Sequence, residues 1–186
     1  IPNTCFPKLN KYDLKYPWTD RNDFINIFID FCNVELFDVN KFEKQFSKRF
    51  NVKYSHMVNS GSSANLVLIS SLKKYYNWED GDEIIVSPVG FPTTISVICQ
   101  NNLKPVFVDI EMDTLNFDVD LIEKKITAKT KAIFVSPVLG NPPDMSKLMN
   151  ICEKYNLKLV GDNCDSLGTK WNGKYLNEYY VAFSNS

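Results

Sequence analysis

Four short apolar runs separated by amphipathic stretches constrain the fold of this 186-residue chain more than any other feature. Continuous apolar runs predict strands that are buried on both faces, and helices between them predict parallel βαβ units. The predicted strands are EIIVS (83–87), PVFVD (105–109), AIFVS (132–136) and LKLVGD (157–162). The predicted helices between them are TTISVICQNN (93–102), DVDLIEKKI (118–126) and DMSKLMNICEKYN (144–156). The sequence therefore predicts a three-layer α/β/α domain with a mostly parallel sheet.

A second set of elements precedes these units. Phe42, Phe46 and Phe50 recur at a spacing of four, which predicts one face of an amphipathic helix. The short apolar run 54–58 is interpreted as a further strand, and a helix is predicted from about 62 to 76. We predict an N-terminal segment over residues 1–36, where FINIFIDF (24–31) fits either helix or strand, and one α/β domain over residues 37–186.

Composition excludes several classes of function. The formal net charge is −1, so the chain has no basic excess for binding a nucleic acid. A single histidine, His56, rules out an HExxH zinc site and argues against a Ser-His-Asp triad; we expect it to be a packing residue. The five cysteines are odd in number and lack a CxxC pair, which favours a reducing cytoplasm. No apolar run approaches the length of a membrane span, so no membrane partner is expected.

The segment SGSSAN, which follows the run 54–58, has the composition of a phosphate-binding turn. Gly61 allows the backbone to approach a ligand closely, while Ser62 and Ser63 offer hydroxyls at the positive end of a helix dipole. An ordinary helix N-cap needs only one serine and remains an alternative. Neither GxxxxGK[ST] nor GxGxxG is present, so the turn has no support from those two motifs.

Two more residues lie where an open α/β sheet binds its ligands, at the carboxyl ends of the strands. Asp162 ends an apolar strand, where a carboxylate needs a cation or donor as its partner; the alternative is a cap of the DNCD turn. Phe91, between Gly90 and Pro92, is either a platform for a ring or plain core filling. A phosphate cup, an aromatic plate and a carboxylate for a pyridinium nitrogen together describe a pyridoxal-phosphate (PLP) site.

From about residue 42 to residue 173 the sequence also resembles the nucleotide-sugar aminotransferase/dehydrase family of fold-type I PLP enzymes, the DegT/StrS-type group. The resemblance lies in the order and spacing of VNSGSSANL, GDEIIVSPVGFPTT, KPVFVDIEMDTLNFDVDLIEKKITAKTKAIFV, LGNPPDM and GDNCDSLGTKWNGK. Within the family it is most similar to the CDP-4-keto-6-deoxyglucose 3-dehydrase branch, by GFPTT, LGNP and an Asp at position 165, where the aminotransferases usually have Gln.

This resemblance implies roles for five residues. Ser62 and Ser63 would bind the cofactor phosphate, and Phe91 would stack on the pyridine ring. Asp162 would pair with the ring nitrogen, and Asp165 would lie near the phenolic oxygen. The implied cofactor is PLP or its amine form, pyridoxamine 5′-phosphate (PMP).

Cys164 matches the first of four cysteines that hold a [2Fe–2S] cluster in the dehydrase branch; a small buried residue is the alternative. The resemblance places the decisive catalytic residue, Lys in the aminotransferases and His in the dehydrases, beyond Ser186. No catalytic residue is therefore expected within the chain, which we interpret as a partial large domain without the C-terminal small domain.

The resemblance implies C3 dehydration of a CDP-4-keto-6-deoxyhexose during dideoxysugar and lipopolysaccharide O-antigen synthesis. A homodimer and a flavin/iron–sulfur reductase that supplies electrons are the implied partners. Two alternatives stay open: a PLP-dependent nucleotide-sugar aminotransferase, and an inactive truncated fragment.

Overall fold

The computed structural model describes residues 38–186, and the expectations for residues 1–36 lie outside this range. The helices are α1 (Val39–Arg49), α2 (Gly61–Tyr75), α3 (Pro92–Gln100), α4 (Val119–Ile122) and α5 (Met145–Tyr155). The strands are β1 (Glu83–Val86), β2 (Lys104–Phe107), β3 (Thr130–Val135), β4 (Lys158–Asp162), β5 (Lys170–Trp171), β6 (Lys174–Tyr175) and β7 (Ala182–Ser184). Short 3₁₀ turns cover Glu123–Lys125, Val138–Gly140 and Leu176–Glu178. None of the helices in the described range is long and apolar enough to cross a membrane.

The sheet has five parallel strands in the order β2-β1-β3-β4-β7, and β5 and β6 form a separate antiparallel pair. Because neighbouring side chains of a strand point to opposite faces, Ile84 packs in one core and Ile85 in the other. The first core contains Ile69 of α2 and Ile98 of α3, and the second contains Leu148 of α5. The three-layer fold with a mostly parallel sheet is confirmed.

Two of the sequence expectations are wrong, both in the segment before α2. Residues 54–58 form no strand: Tyr54 is 72% exposed, and the segment runs as an irregular connection between α1 and α2. A strand needs a hydrogen-bonded neighbour, and the short apolar run does not specify one. His56 is exposed in this connection rather than packed in a core.

Other elements differ from the expectations in length or were not predicted. The helix expected over 118–126 ends at Ile122, and a 3₁₀ turn continues it. β7 pairs with β4 through the register Val160↔Ala182 to Asp162↔Ser184. This pairing brings the last described residues next to the carboxyl end of β4, where the candidate site lies.

Candidate cofactor site

The first turn of α2 has a satisfied N-cap and two free backbone donors. The Ser60 hydroxyl accepts a hydrogen bond from the Ser63 backbone N–H at 3.1 Å, and Ser60 Oγ donates to Ser63 Oγ at 3.1 Å. Within residues 38–186 the N–H groups of Gly61 and Ser62 and the Ser62 hydroxyl form no hydrogen bond. Because Ser60 supplies the cap, these groups stay available at the positive end of a 15-residue helix, which suits an anion.

Gly61 is required here for space. A Cβ atom at Gly61 would lie 2.7 Å from Ser186 Cβ and 3.1 Å from Cys164 Sγ. The segment that follows β4 and the segment that follows β7 therefore both approach the first turn of α2. A cleft of about 570 Å³ opens beside this turn, and Ser60, Gly61 and Ser186 are among its lining residues.

Asp162 lies at the centre of the arrangement and is 2% exposed. Its Oδ2 accepts hydrogen bonds from Asn65 Nδ2 at 2.8 Å and from Thr94 Oγ1 at 2.7 Å. Its Oδ1 accepts the backbone N–H of Cys164 at 3.2 Å. A carboxylate has about four acceptor positions, so these three donors leave one acceptor position of Oδ1 unused. A protonated ring nitrogen would be a suitable fourth donor, and the residues present fit the cofactor.

The turn-capping alternative for Asp162 is correct, because the Cys164 N–H bond is the cap of the DNCD turn. The two bonds to Oδ2 show that capping is only part of its role. A residue that only caps a surface turn would not also accept hydrogen bonds from Asn65 and Thr94, which lie in helices on one face of the sheet. Burial of a carboxylate is costly unless donors surround it, and these contacts compensate for the burial of Asp162.

The sequence did not predict the hydrogen-bonded network around Asp162, which is formed by Asn65, Thr94 and Ser184. The Ser184 hydroxyl is hydrogen-bonded to Asn65 Oδ1, which orients the amide so that its Nδ2 donates to Asp162. The available signal was position, since Asn65 lies about one helical turn after Ser62 and Thr94 lies in the first turn of α3. The pairing itself joins residues 97 and 68 positions apart, which no local pattern specifies.

Phe91 is the N-cap residue of α3 and is 67% exposed. The core-filling alternative is therefore wrong. Thr94, three residues further along the same helix, binds Asp162, so the exposed ring lies on the helix that supports the carboxylate. The stacking role of Phe91 stays a prediction, as do the phosphate contacts of Ser62 and Ser63.

Asp165 and Cys164 lie in the turn after β4, and both residues are exposed. The Asp165 carbonyl oxygen lies 3.0 Å from where a Cβ atom of Gly140 would be, so this turn packs against the loop after β3. The Cys164 sulfur lies beside Gly61 and near Ser186, and its partial burial raises the pKa of the thiol to about 11. No group of three or more His, Cys, Asp or Glu residues within 38–186 could hold a metal ion.

The raised pKa of Cys164 predicts slow alkylation. With a pKa of about 11 in place of about 9, we expect about a hundredfold less thiolate at pH 8, and iodoacetamide should react more slowly by a similar factor. Peptide mass spectrometry over pH 7–11 measures the rate, which should rise up to about pH 11. The same chain unfolded in urea is the control and should react at the ordinary rate. A native-state midpoint near pH 8.5 would contradict the partly buried position of the sulfur.

Comparisons with known proteins identify a matching family and several relatives. The model of the DegT/DnrJ/EryC1/StrS aminotransferase family matches residues 37–184. The chain is 43% identical to dTDP-4-dehydro-2,6-dideoxy-D-glucose 3-dehydratase of Saccharopolyspora spinosa over 143 residues, which is 75% of this chain and 31% of that protein. It is also 43% identical to GDP-4-keto-6-deoxy-D-mannose 3-dehydratase of Yersinia pseudotuberculosis, over 76% of this chain and 36% of that protein.

Relatives with other names also match. Lipopolysaccharide biosynthesis protein RfbH of Salmonella typhimurium is 41% identical over 74% of this chain and 32% of that protein. GDP-perosamine synthase of Escherichia coli O157:H7 is 31% identical over 76% of this chain and 38% of that protein. The chain therefore spans about a third of the length of the curated relatives it matches.

A solved structure extends the similarity to the fold. The E. coli GDP-4-keto-6-deoxy-D-mannose-3-dehydratase with bound hydrated PLP superposes with a TM-score of 0.70 at 36% identity, covering 89% of this chain and 42% of that one. The family match over residues 37–184 and the shared fold lead to the same conclusion. The chain belongs to the DegT/DnrJ/EryC1/StrS aminotransferase family.

Proposed function

We propose that this chain is the cofactor-binding part of a PLP- or PMP-dependent enzyme that removes the C3 hydroxyl of a nucleotide-linked 4-keto-6-deoxyhexose. The observation that carries the proposal is the buried Asp162 carboxylate, held by Asn65 and Thr94 and with acceptor capacity left on Oδ1. A buried anion at the carboxyl end of a parallel sheet suits a ring nitrogen that must stay protonated. Protonation makes the bound cofactor an electron sink, which is the chemistry that the group supplies.

Different residues of the chain would bind different parts of the cofactor. The free N–H groups of Gly61 and Ser62, with the Ser62 and Ser63 hydroxyls, would bind the phosphate and fix one end of the cofactor. Phe91 would cover one face of the ring and exclude water from it, and Asp165 would lie near the phenolic oxygen. The base that moves the substrate proton is proposed to lie beyond Ser186.

Two observations favour dehydration over amino transfer: the names of the relatives and the residue at position 165. Several relatives at 41–43% identity carry the name of a sugar 3-dehydratase, whereas the GDP-perosamine synthase is 31% identical. Asp165 in place of the usual glutamine favours the same branch. Within this proposal the nucleotide is CDP and the product enters lipopolysaccharide O-antigen. The two dehydratase relatives at 43% identity are named for dTDP- and GDP-linked sugars, so the choice of CDP comes from the sequence resemblance.

The proposal has further parts that depend on the resemblance. They are a homodimer, a flavin/iron–sulfur reductase as electron donor, a [2Fe–2S] cluster with Cys164 as one ligand, and a location in the cytoplasm.

The test uses the enzyme that contains this chain. We would incubate it with PLP or PMP and the CDP-, GDP- and dTDP-linked 4-keto-6-deoxyhexoses, with and without an amino donor and a reductase, and identify products by mass spectrometry. Loss of the C3 oxygen supports dehydration, and the preferred nucleotide identifies the substrate. A product that gains an amino group would instead support the aminotransferase alternative. No turnover with any of these sugars would contradict the proposal.

A further inference from the structure

Asn116 lies outside the cofactor site and is 4% exposed, and both polar atoms of its side chain are hydrogen-bonded. Its Nδ2 donates to the backbone carbonyl of Asn141 at 2.9 Å, and its Oδ1 accepts the backbone N–H of Val138 at 3.1 Å. One amide therefore holds both ends of the turn 138–141. This turn directly follows β3 at the carboxyl edge of the sheet, where the candidate site lies.

Asn116 is itself held in a fixed position. Its backbone carbonyl accepts the Glu111 N–H at 2.9 Å, and its own N–H donates to Thr114 Oγ1 at 3.2 Å. An antiparallel bridge between Ile110 and Phe117 closes the same loop. Because both its backbone and its side chain are bonded, Asn116 acts as a rigid support for the turn 138–141.

The turn that Asn116 holds has an unfavourable backbone. Leu139 has φ of +52°, a region that residues other than glycine rarely adopt, and its side chain is 81% exposed, so core packing does not stabilise this conformation. The next residue, Gly140, has φ of +79° and packs against the Asp165 carbonyl, while Thr169 Oγ1 donates to the Gly140 carbonyl at 3.1 Å. The turn therefore contacts the Asp165 segment directly.

We propose that Asn116 is a positioning residue that holds the turn 138–141 against the segment carrying Asp165, and thereby sets where the Asp165 carboxylate lies relative to the cofactor. This inference rests on the proposed function, because it takes Asp165 to lie near the phenolic oxygen of the cofactor. Without Asn116, the strained turn should relax and the Asp165 segment should lose its packing surface. A carboxylate beside the phenol disfavours the phenolate, so displacement of Asp165 should change the pH at which the bound cofactor titrates.

The test compares Asn116→Ala with Asn101→Ala in the PLP-bound protein. Asn101 is a matched control because its amide also forms two side-chain hydrogen bonds, to Ser70 and to the Val97 carbonyl, at the far end of α3. We expect Asn116→Ala to weaken PLP binding about fivefold to tenfold. It should also lower the pH midpoint of the bound cofactor's absorbance toward the midpoint of Asp165→Asn. Asn101→Ala should leave both values unchanged.

A double variant tests whether Asn116 acts through Asp165. If it does, Asn116→Ala adds no further shift of the pH midpoint in the Asp165→Asn background. If Asn116→Ala does not fold, Asn116→Asp keeps the acceptor for Val138 but loses the donor to Asn141, and a shift in the same direction is expected. A wild-type pH midpoint in a folded Asn116 variant would overturn the inference alone. Failure of the wild-type protein to bind PLP would overturn the proposed function, and this inference with it.

Discussion

Replacing Asp162 with asparagine is expected to lower turnover by at least about a hundredfold in the enzyme that contains this chain, the scale of losing one preorganised electrostatic contact. Asparagine keeps the shape of the side chain but removes the charge that would keep the cofactor ring protonated. It also replaces one carboxylate oxygen with an NH2 group, which cannot accept a hydrogen bond. Replacement of Oδ1 removes the bond from the Cys164 N–H, and replacement of Oδ2 removes the bonds from Asn65 and Thr94. The measurement is steady-state kcat at saturating cofactor.

Asp144→Asn is the matched control for this substitution. Asp144 is the N-cap of α5 and accepts the Lys147 N–H at 3.0 Å, and asparagine caps helices about as well as aspartate. Its turnover should stay near wild type. Urea unfolding of both variants separates loss of catalysis from loss of folded protein. Near-wild-type kcat in a saturated Asp162→Asn enzyme would contradict the assigned role of Asp162.

Gly161→Ala is expected to cause the largest loss of stability. A Cβ atom at Gly161 would lie 2.2 Å from Tyr180 Cε2 and 2.9 Å from Cζ, distances that real Cβ atoms do not show. Tyr180 is buried in the core that contains Leu159, so the ring has no open space to enter. We expect the free energy of unfolding to fall by about 3 kcal/mol or more, at or above the upper end for overpacking. Urea denaturation measures the loss.

The contact itself is tested by the double variant Gly161→Ala/Tyr180→Leu. Removing the ring removes the clash, so the two substitutions should be strongly non-additive, and the double variant should be more stable than Gly161→Ala alone. Tyr180→Phe is a second control: the Tyr180 hydroxyl is buried without a hydrogen-bond partner within residues 38–186, and its loss should cost little. Additive losses in the double variant would show that Tyr180 does not occupy this space.

The parts of the fold that could be predicted from sequence are those with a strong local pattern. β1 and β3 are runs of buried β-branched and aromatic residues bounded by polar turns, and their bounds were predicted to within two residues. β7 has only three residues, so its pattern is too short to interpret, and it exists through its pairing with β4. The β5–β6 hairpin did carry a signal, the Asn172-Gly173 turn with positive φ at both residues.

The residues of the candidate site also divide into those with a local sequence signal and those without one. Asp162 could be singled out because a carboxylate at the end of an apolar strand is unusual, and the structure places it in a buried network. Its partners Asn65 and Thr94 could not be singled out, because a single polar residue in a helix has no local signature of a distant hydrogen bond. The helix dipole of α2 was predictable. The choice of Ser60 as the cap was not, because it depends on the helix beginning at Gly61; this choice leaves Ser62 free.

A crystal structure of the protein with PLP tests the central claim most directly. The account predicts the phosphate at the first turn of α2, within hydrogen-bond distance of the Gly61 and Ser62 N–H groups. It predicts the ring nitrogen within hydrogen-bond distance of Asp162 Oδ1, with the Phe91 ring against one face. A cofactor bound elsewhere, or bound at this turn with its nitrogen directed away from Asp162, would contradict it.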